Sequence, residues 1–274
     1  MSPTAPREGS AATLLTVGFS TTSDRVSRLV ALEDPPVASL AVVQHFGAEE
    51  FSPDDVPAPV ADRGPVSVLR SRGVAKSRNK ALELCGTKYL LFGDDDVEIQ
   101  WDEVFAAVTR MQQNGTAIAL GYGVDAGTGR ARKSHPAEFG RLTVWNSARA
   151  ATYEMVVDVE QCRKAGVRFD ERFGAGAELP LGDEYIFIAD ALRAGLTGES
   201  MPLAFGVHPH VSSGSNWSDE AHTASRSAVF ARVFGPLGYP VRAVFAVRHR
   251  RDLGSWRAAW RFVMRPPALK GLNR

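Results

Sequence analysis

The chain is poor in residues that staple a protein or hold soft metals. It has two cysteines in 274 residues, Cys85 and Cys162, and no Cys-x-x-Cys pair. That excludes a zinc ribbon and a disulfide-built scaffold. No apolar run is long enough to span a bilayer. The opening stretch, MSPTAPREGSAAT, lacks the apolar segment of a secretion signal. Residues 1–12 therefore read as a disordered tail, and a cytoplasmic location is expected. Gly-x-Ser-x-Gly is absent, and Ser212 and Ser213 do not supply the nucleophile elbow of a hydrolase. Internal repeats and linker-like breaks are also missing.

What is present is an ordinary globular composition, 44% hydrophobic and 23% charged, enough to bury a sizeable core. The net charge is +1, but it is unevenly placed. From Arg226 onward there are eleven Lys or Arg and one acidic residue, Asp252. Residues 226–274 read as a basic helical C-terminal extension. With Trp256, Trp260 and Phe262 it is either a solvated helix face packed on the domain or a peripheral contact with the inner face of an anionic membrane. No nucleic-acid motif accompanies the charge, so nucleic acid is not an expected partner.

The first half alternates apolar runs with helical patterns. TLLTVGF (13–19), ASLAVVQ (38–44), VSVL (66–69), KYLLF (88–92) and TAIALGY (116–122) read as strands. SDRVSRLVAL, GVAKSRNKALELC (73–85) and WDEVFAAVTRMQQNG read as helices, the last closed by Asn114-Gly115. HFGAEEFSPDDVPAPVADRGP reads as a loop. Later, YEMVVDV (153–159) reads as a strand and GDEYIFIADALRAG (182–195) as a helix. This alternation implies an α/β fold with a mainly parallel sheet flanked by helices, whose ligands bind beyond the carboxyl ends of the strands.

At one such end stand Asp94, Asp95 and Asp96, after Tyr89–Phe92 and Gly93. Adjacent carboxylates resist ionising together. Water or a cation must offset the repulsion, and hard oxygen ligands at a strand end suit Mg²⁺ or Mn²⁺. A solvated acidic turn is the plain alternative.

The stretch SRNKALELCGTKYLLFGDDDVEI resembles the donor half of a family 2 glycosyltransferase of GT-A, Rossmann-like fold. Arg78 and Asn79 match the family's Arg-Asn, and Asp94 and Asp96 match its Asp-x-Asp. The resemblance implies Asp96 as metal ligand, with Asp94 and Asp95 near the ribose and the metal shell. Gly93 stands where leucine is usual and admits a closer backbone approach. Gly182-Asp183-Glu184 resembles the acidic pair that supplies the catalytic base. The order departs from the usual Glu-Asp, so either carboxylate stays a candidate, with Glu184 favoured by position. HPHVSSGSNW (208–217) resembles a late segment that offers a metal ligand, His208 first and His210 second.

The nucleotide-binding turn after the first strand is the weakest match: VGFSTTSDR offers Thr16, Ser20 and Asp24, with Ser20 the donor-binding candidate. The second strand ends on Gln44 and His45, where an acidic residue is usual. The resemblance spans roughly residues 13–217. It implies a GT-A domain over 13–225, with a donor half at 13–123 and an acceptor half at 124–225. It further implies a metal-dependent, inverting transfer of sugar from a UDP-, GDP- or dTDP-sugar to an acceptor hydroxyl, in polysaccharide or glycoconjugate synthesis. The glycine-rich stretch Gly121–Gly129, with Arg130, Arg132 and Lys133, is either a closing flap or a surface loop. The rival readings are a sugar-nucleotide nucleotidylyltransferase, whose early glycine-rich basic signature is absent after Phe19, and a non-catalytic protein of the same fold.

Overall fold

Period-two burial builds the centre of the molecule. In the strand Tyr89–Asp94, Leu90 and Phe92 enter one apolar cluster while Tyr89 and Leu91 enter another on the opposite face. Both faces of the sheet are covered, so its strands are continuous apolar runs and do not alternate with polar residues. The computed structural model describes residues 10–208 and 220–267.

In chain order the strands are β1 (Leu15–Thr22), β2 (Ala38–Gln44), β3 (Val66–Leu69), β4 (Tyr89–Asp94), β5 (Glu98–Ile99), β6 (Ile118–Asp125), β7 (Gly140–Arg141), β8 (Met155–Asp158) and β9 (Gly198–His208). The helices are α1 (Ala11–Leu14), α2 (Ser27–Ala31), α3 (Ala58–Ala61), α4 (Val74–Leu84), α5 (Trp101–Asn114), α6 (Val159–Lys164), α7 (Asp183–Arg193), α8 (Glu220–Phe234), α9 (Gly238–Arg248) and α10 (Trp256–Met264). The sheet runs β3-β2-β1-β4-β8-β6-β9-β5, with β7 also on β9. Helices α4, α6 and α7 cover one face, and α2, α3 and α5 the other.

The expected parallel order holds for β3-β2-β1-β4 and for β6 beside β9. Between them β8 is inserted antiparallel to both β4 and β6, so the sheet is mixed. In the parallel half, register places Ser20 beside Asp94, bringing the ends of β1 and β4 together.

Several local expectations are corrected. Ala11–Leu14 forms a helical turn, so the first strand begins at Leu15 and not at Thr13. The expected loop after β2 contains a 3-10 turn at Pro53–Asp55 and α3. Strand β9 went unforeseen: Pro202 cannot donate to a ladder, and the β6–β9 register shifts where it lies. Gly121 and Gly123 belong to β6, and a Cβ on Gly123 would fall 2.1 Å from the Tyr153 hydroxyl oxygen. This part of the glycine-rich stretch is strand, not flap.

The C-terminal helices dock in sequence. Ala228, Val229 and Val233 of α8 pack with Tyr185, Ile186 and Ala189 of α7. Position 226 thus lies inside a helix that is continuous with the core. Phe262 of α10 stacks on Phe245 of α9, with ring centroids 5.7 Å apart. Phe262 is therefore buried and does not face solvent with Trp256 and Trp260.

Candidate active site

The turn after β4 carries the aspartates, and each meets a different fate. Asp95 is 5% exposed and faces inward. Thr21 at the end of β1 donates its hydroxyl to Asp95 Oδ2 at 2.5 Å, and Arg25 pairs with Oδ1. Burial pushes the Asp95 carboxyl up, while the Thr21 hydroxyl and Arg25 pull it back. Asp95 is therefore tied to the end of β1 and to Arg25. Asp96 lies 3.1 Å from Arg25 and 3.7 Å from Arg28. His208 Nε2, at the end of β9, lies 3.5 Å from Asp96 Oδ1.

Asp94 keeps 31% of its side chain exposed, and Arg78 Nη2 lies 4.0 Å away. Burial raises its pKa to about 6, Arg78 opposes the rise, and Asp96, Glu184 and Asp95 add to it.

Arg78 joins the aspartates to the second acidic cluster. It is on the second turn of α4, buried, and pairs with Asp183, while its Nη1 lies 3.4 Å from Glu184 Oε1. Asp183 and Glu184 open α7, where the helix dipole favours negative charge. Glu184 also accepts a hydrogen bond from the Thr152 hydroxyl at 2.7 Å. These two buried carboxyls share one guanidinium, so they titrate as a pair. Burial and the Glu184 charge push Asp183 up to about 7, against the pull of Arg78. Burial also works against charge on Glu184, but Arg78 and the Thr152 hydroxyl outweigh it and hold that carboxyl below its ordinary value. Asp183 is enclosed, with Gly174 against it: a Cβ there would fall 2.7 Å from Asp183 Cγ, and φ is +99°. Glu184 retains 18% side-chain exposure.

Asn79, expected to bind donor, is spent elsewhere. Its amide donates to the Phe169 carbonyl at 3.0 Å and to Glu171 at 3.1 Å, and its Oδ1 accepts from the Phe169 backbone N–H at 2.8 Å. It positions the segment leading to α7. Consecutive helical residues point about 100° apart, so Arg78 and Asn79 cannot share a target. Gly93 is explained by packing, because a Cβ there would lie 2.7 Å from the Phe19 ring on the neighbouring strand.

His210, Ser212 and Ser213 lie outside the described residues. Thr21, Arg25, Arg28 and Thr152 were not anticipated. The only sequence signal for Arg25 and Arg28 was a basic pair spaced by three just beyond β1. Among the described residues no group of three or more His, Cys, Asp or Glu forms a ready metal cage. Asp94, Asp96 and His208 are still a hard oxygen-and-imidazole set. Mg²⁺ and Mn²⁺ commonly take one or two carboxylates and complete their shell with substrate phosphate.

The structure thus brings Asp94 at a strand end and the acidic pair at a helix start within 4.0 Å of one arginine, Arg78. Residues 50–171 match the family model for glycosyl transferase family 2. The matched stretch contains Arg78 and the three aspartates. No curated protein sequence matches the chain significantly. Among solved structures, S. aureus TarS is similar over 86% of this chain at 16% identity and a TM-score of 0.57. The chain spans 43% of that TarS structure's length. TarS 1–349 in complex with UDP-GlcNAc is 15% identical, with a TM-score of 0.59, covering 86% of this chain and 72% of that one. The UDP complex of TarS 1–349 gives 16% and 0.55 over the same shares. These likenesses show the fold: the matched stretch sits in a GT-A architecture, as the sequence resemblance implied.

Proposed function

We propose that the chain is a metal-dependent, inverting glycosyltransferase that moves a sugar from a nucleotide-sugar donor to an acceptor hydroxyl, in polysaccharide or glycoconjugate synthesis. One observation carries this: Arg78 stands within 4.0 Å of Asp94, Asp183 and Glu184, tying a donor-type carboxylate cluster to a base-type pair. UDP-sugars are the first donors to test, because the TarS structures hold UDP-GlcNAc and UDP. GDP- and dTDP-sugars are the next.

Asp94, Asp96 and His208 would hold the Mn²⁺ or Mg²⁺, which when bound supplies positive charge to the departing diphosphate. Asp95, fixed by Thr21 and Arg25, sets the turn that presents its neighbours. Arg78 orients the base pair. Glu184 is the base: it is held ionised and keeps 18% of its side chain exposed, whereas Asp183 is enclosed against Gly174. It takes the proton from the acceptor hydroxyl as that oxygen attacks the anomeric carbon. The bond to the nucleoside diphosphate breaks, and the diphosphate leaves with the electron pair. Attack from the face opposite the leaving group inverts the anomeric centre.

The test is Glu184→Gln. Turnover of the accepted nucleotide sugar should fall about 10²–10⁴-fold, the usual worth of a general base, while donor affinity stays within about twofold. The product's anomeric configuration, read by NMR, checks inversion. Unchanged turnover would remove Glu184 from the base role.

A further inference from the structure

The C-terminal helix α10 has three distinct faces. Ser255 caps it, accepting a hydrogen bond from the Ala258 backbone N–H at 3.2 Å. Ala259 and Phe262 form the buried face, where Phe262 meets Phe245 and Phe230. Ser227 of α8 donates to the Phe262 carbonyl at 2.6 Å, and Arg242 of α9 donates to the Val263 carbonyl at 2.8 Å, so the helix is anchored to the body. The second face carries Trp256, 81% exposed, Trp260, 53% exposed, and Met264, 47% exposed, one turn apart along the helix. The third, about a quarter turn round, carries the exposed Arg257 and Arg261, the latter 3.5 Å from the exposed Glu220, and exposed Arg265 follows directly after the helix. The Arg265 guanidinium lies over the Trp260 ring, 5.1 Å from its centroid. Val244 and Val247 of α9 are also 71% and 63% exposed.

Large side chains in a row do not stay in water without a partner surface. We infer that α10 seats this chain on an anionic lipid bilayer, with Trp256, Trp260 and Met264 entering the headgroup–acyl boundary and Arg257, Arg261 and Arg265 meeting the lipid phosphates. A tryptophan row flanked by arginines suits that boundary, because the rings bury apolar area and the guanidiniums keep their charge in the polar layer. Arg248, Arg250 and Arg251, just before the helix, are also exposed, and anionic headgroups complement this basic surface. A second copy of this chain is the poorer occupant. A two-fold interface through this face would set arginine rows against each other. The contact is peripheral, since no helix among the described residues is long and apolar enough to cross a membrane.

The experiment is sedimentation of the full chain with vesicles of equimolar phosphatidylcholine and phosphatidylglycerol, and with phosphatidylcholine alone. The wild type should sediment with the mixed vesicles only, and added salt should release it. Trp256→Ser with Trp260→Ser should lower partitioning about tenfold or more, without changing thermal stability, because both side chains are exposed. Arg257→Gln, Arg261→Gln and Arg265→Gln together should abolish the preference for anionic vesicles. Failure of the wild type to bind mixed vesicles would overturn the inference. So would equal binding by the tryptophan variant, or a lipid-free dimer that this variant dissolves while vesicle binding is absent.

Discussion

Replacing Arg78 by methionine keeps length and helix propensity but removes the guanidinium between Asp94, Asp183 and Glu184. Arg78 and Asp183 expose 7% and 3% of their side chains, so solvent screens the pair little. Breaking a buried pair from one side costs about 3–5 kcal/mol, mostly from stranding the remaining charge. For 274 residues the unfolding entropy is about 0.6 kcal/mol/K, so the Tm should fall by about 5–9 °C. The stranded carboxyls can take up protons, which softens the loss in acid. The drop should therefore be smaller at about pH 6 than at about pH 8. Differential scanning calorimetry of both proteins at the two pH values measures this. A Tm within about 1 °C of wild type at the higher pH would refute the claim that Arg78 neutralises the cluster.

Other outcomes follow from the same geometry. Thr152→Val removes the hydroxyl that donates to Glu184 Oε1, a bond to a charged group worth about 1.5–3 kcal/mol, so the acid limb of the pH–rate profile should move to higher pH while donor affinity holds. In the wild type, Asp94 and Asp183 are raised from their ordinary 3.8 to about 6 and about 7. The folded protein holds these protons more tightly than the unfolded chain. The stability they contribute is complete below the unfolded value and is lost as pH rises through about 6 and about 7. Thermal melts should show that decline, and Mn²⁺ should reduce it on the alkaline side by supplying the missing positive charge to Asp94.

The strands that the sequence displayed best were those whose apolar runs were bounded by turn residues. ASLAVVQ and VSVL match β2 and β3 end to end. Strand β9 was obscured because Pro202 interrupts it and a bulge absorbs the fault. At the site, Arg78, Asp94, Asp96, Asp183 and Glu184 were named from the family resemblance, and the structure brings Arg78 within 4.0 Å of Asp94, Asp183 and Glu184. Arg25 was not, because it meets Asp95 across 70 positions of sequence through the β1–β4 register. The repulsion among the aspartates pointed to a cation or water, and the structure adds Arg25, Arg28 and Arg78 to that balance. Thr152 lies in a 3-10 turn before β8, whose sequence carries no signal of a partner on α7. Asn79 was placed with Arg78 by the resemblance to the family's Arg-Asn, and helix geometry sends it to Phe169 instead.

The most direct test of a nucleotide-sugar site at Asp94–Asp96 is titration calorimetry of UDP, GDP and dTDP, with and without Mn²⁺, on the wild type and Asp96→Ala. One nucleotide should bind in a Mn²⁺-dependent manner, and the substitution should abolish that dependence. If the folded wild type binds none of them under either condition, the donor-site claim is contradicted, and the aspartates are an arginine-buttressed turn.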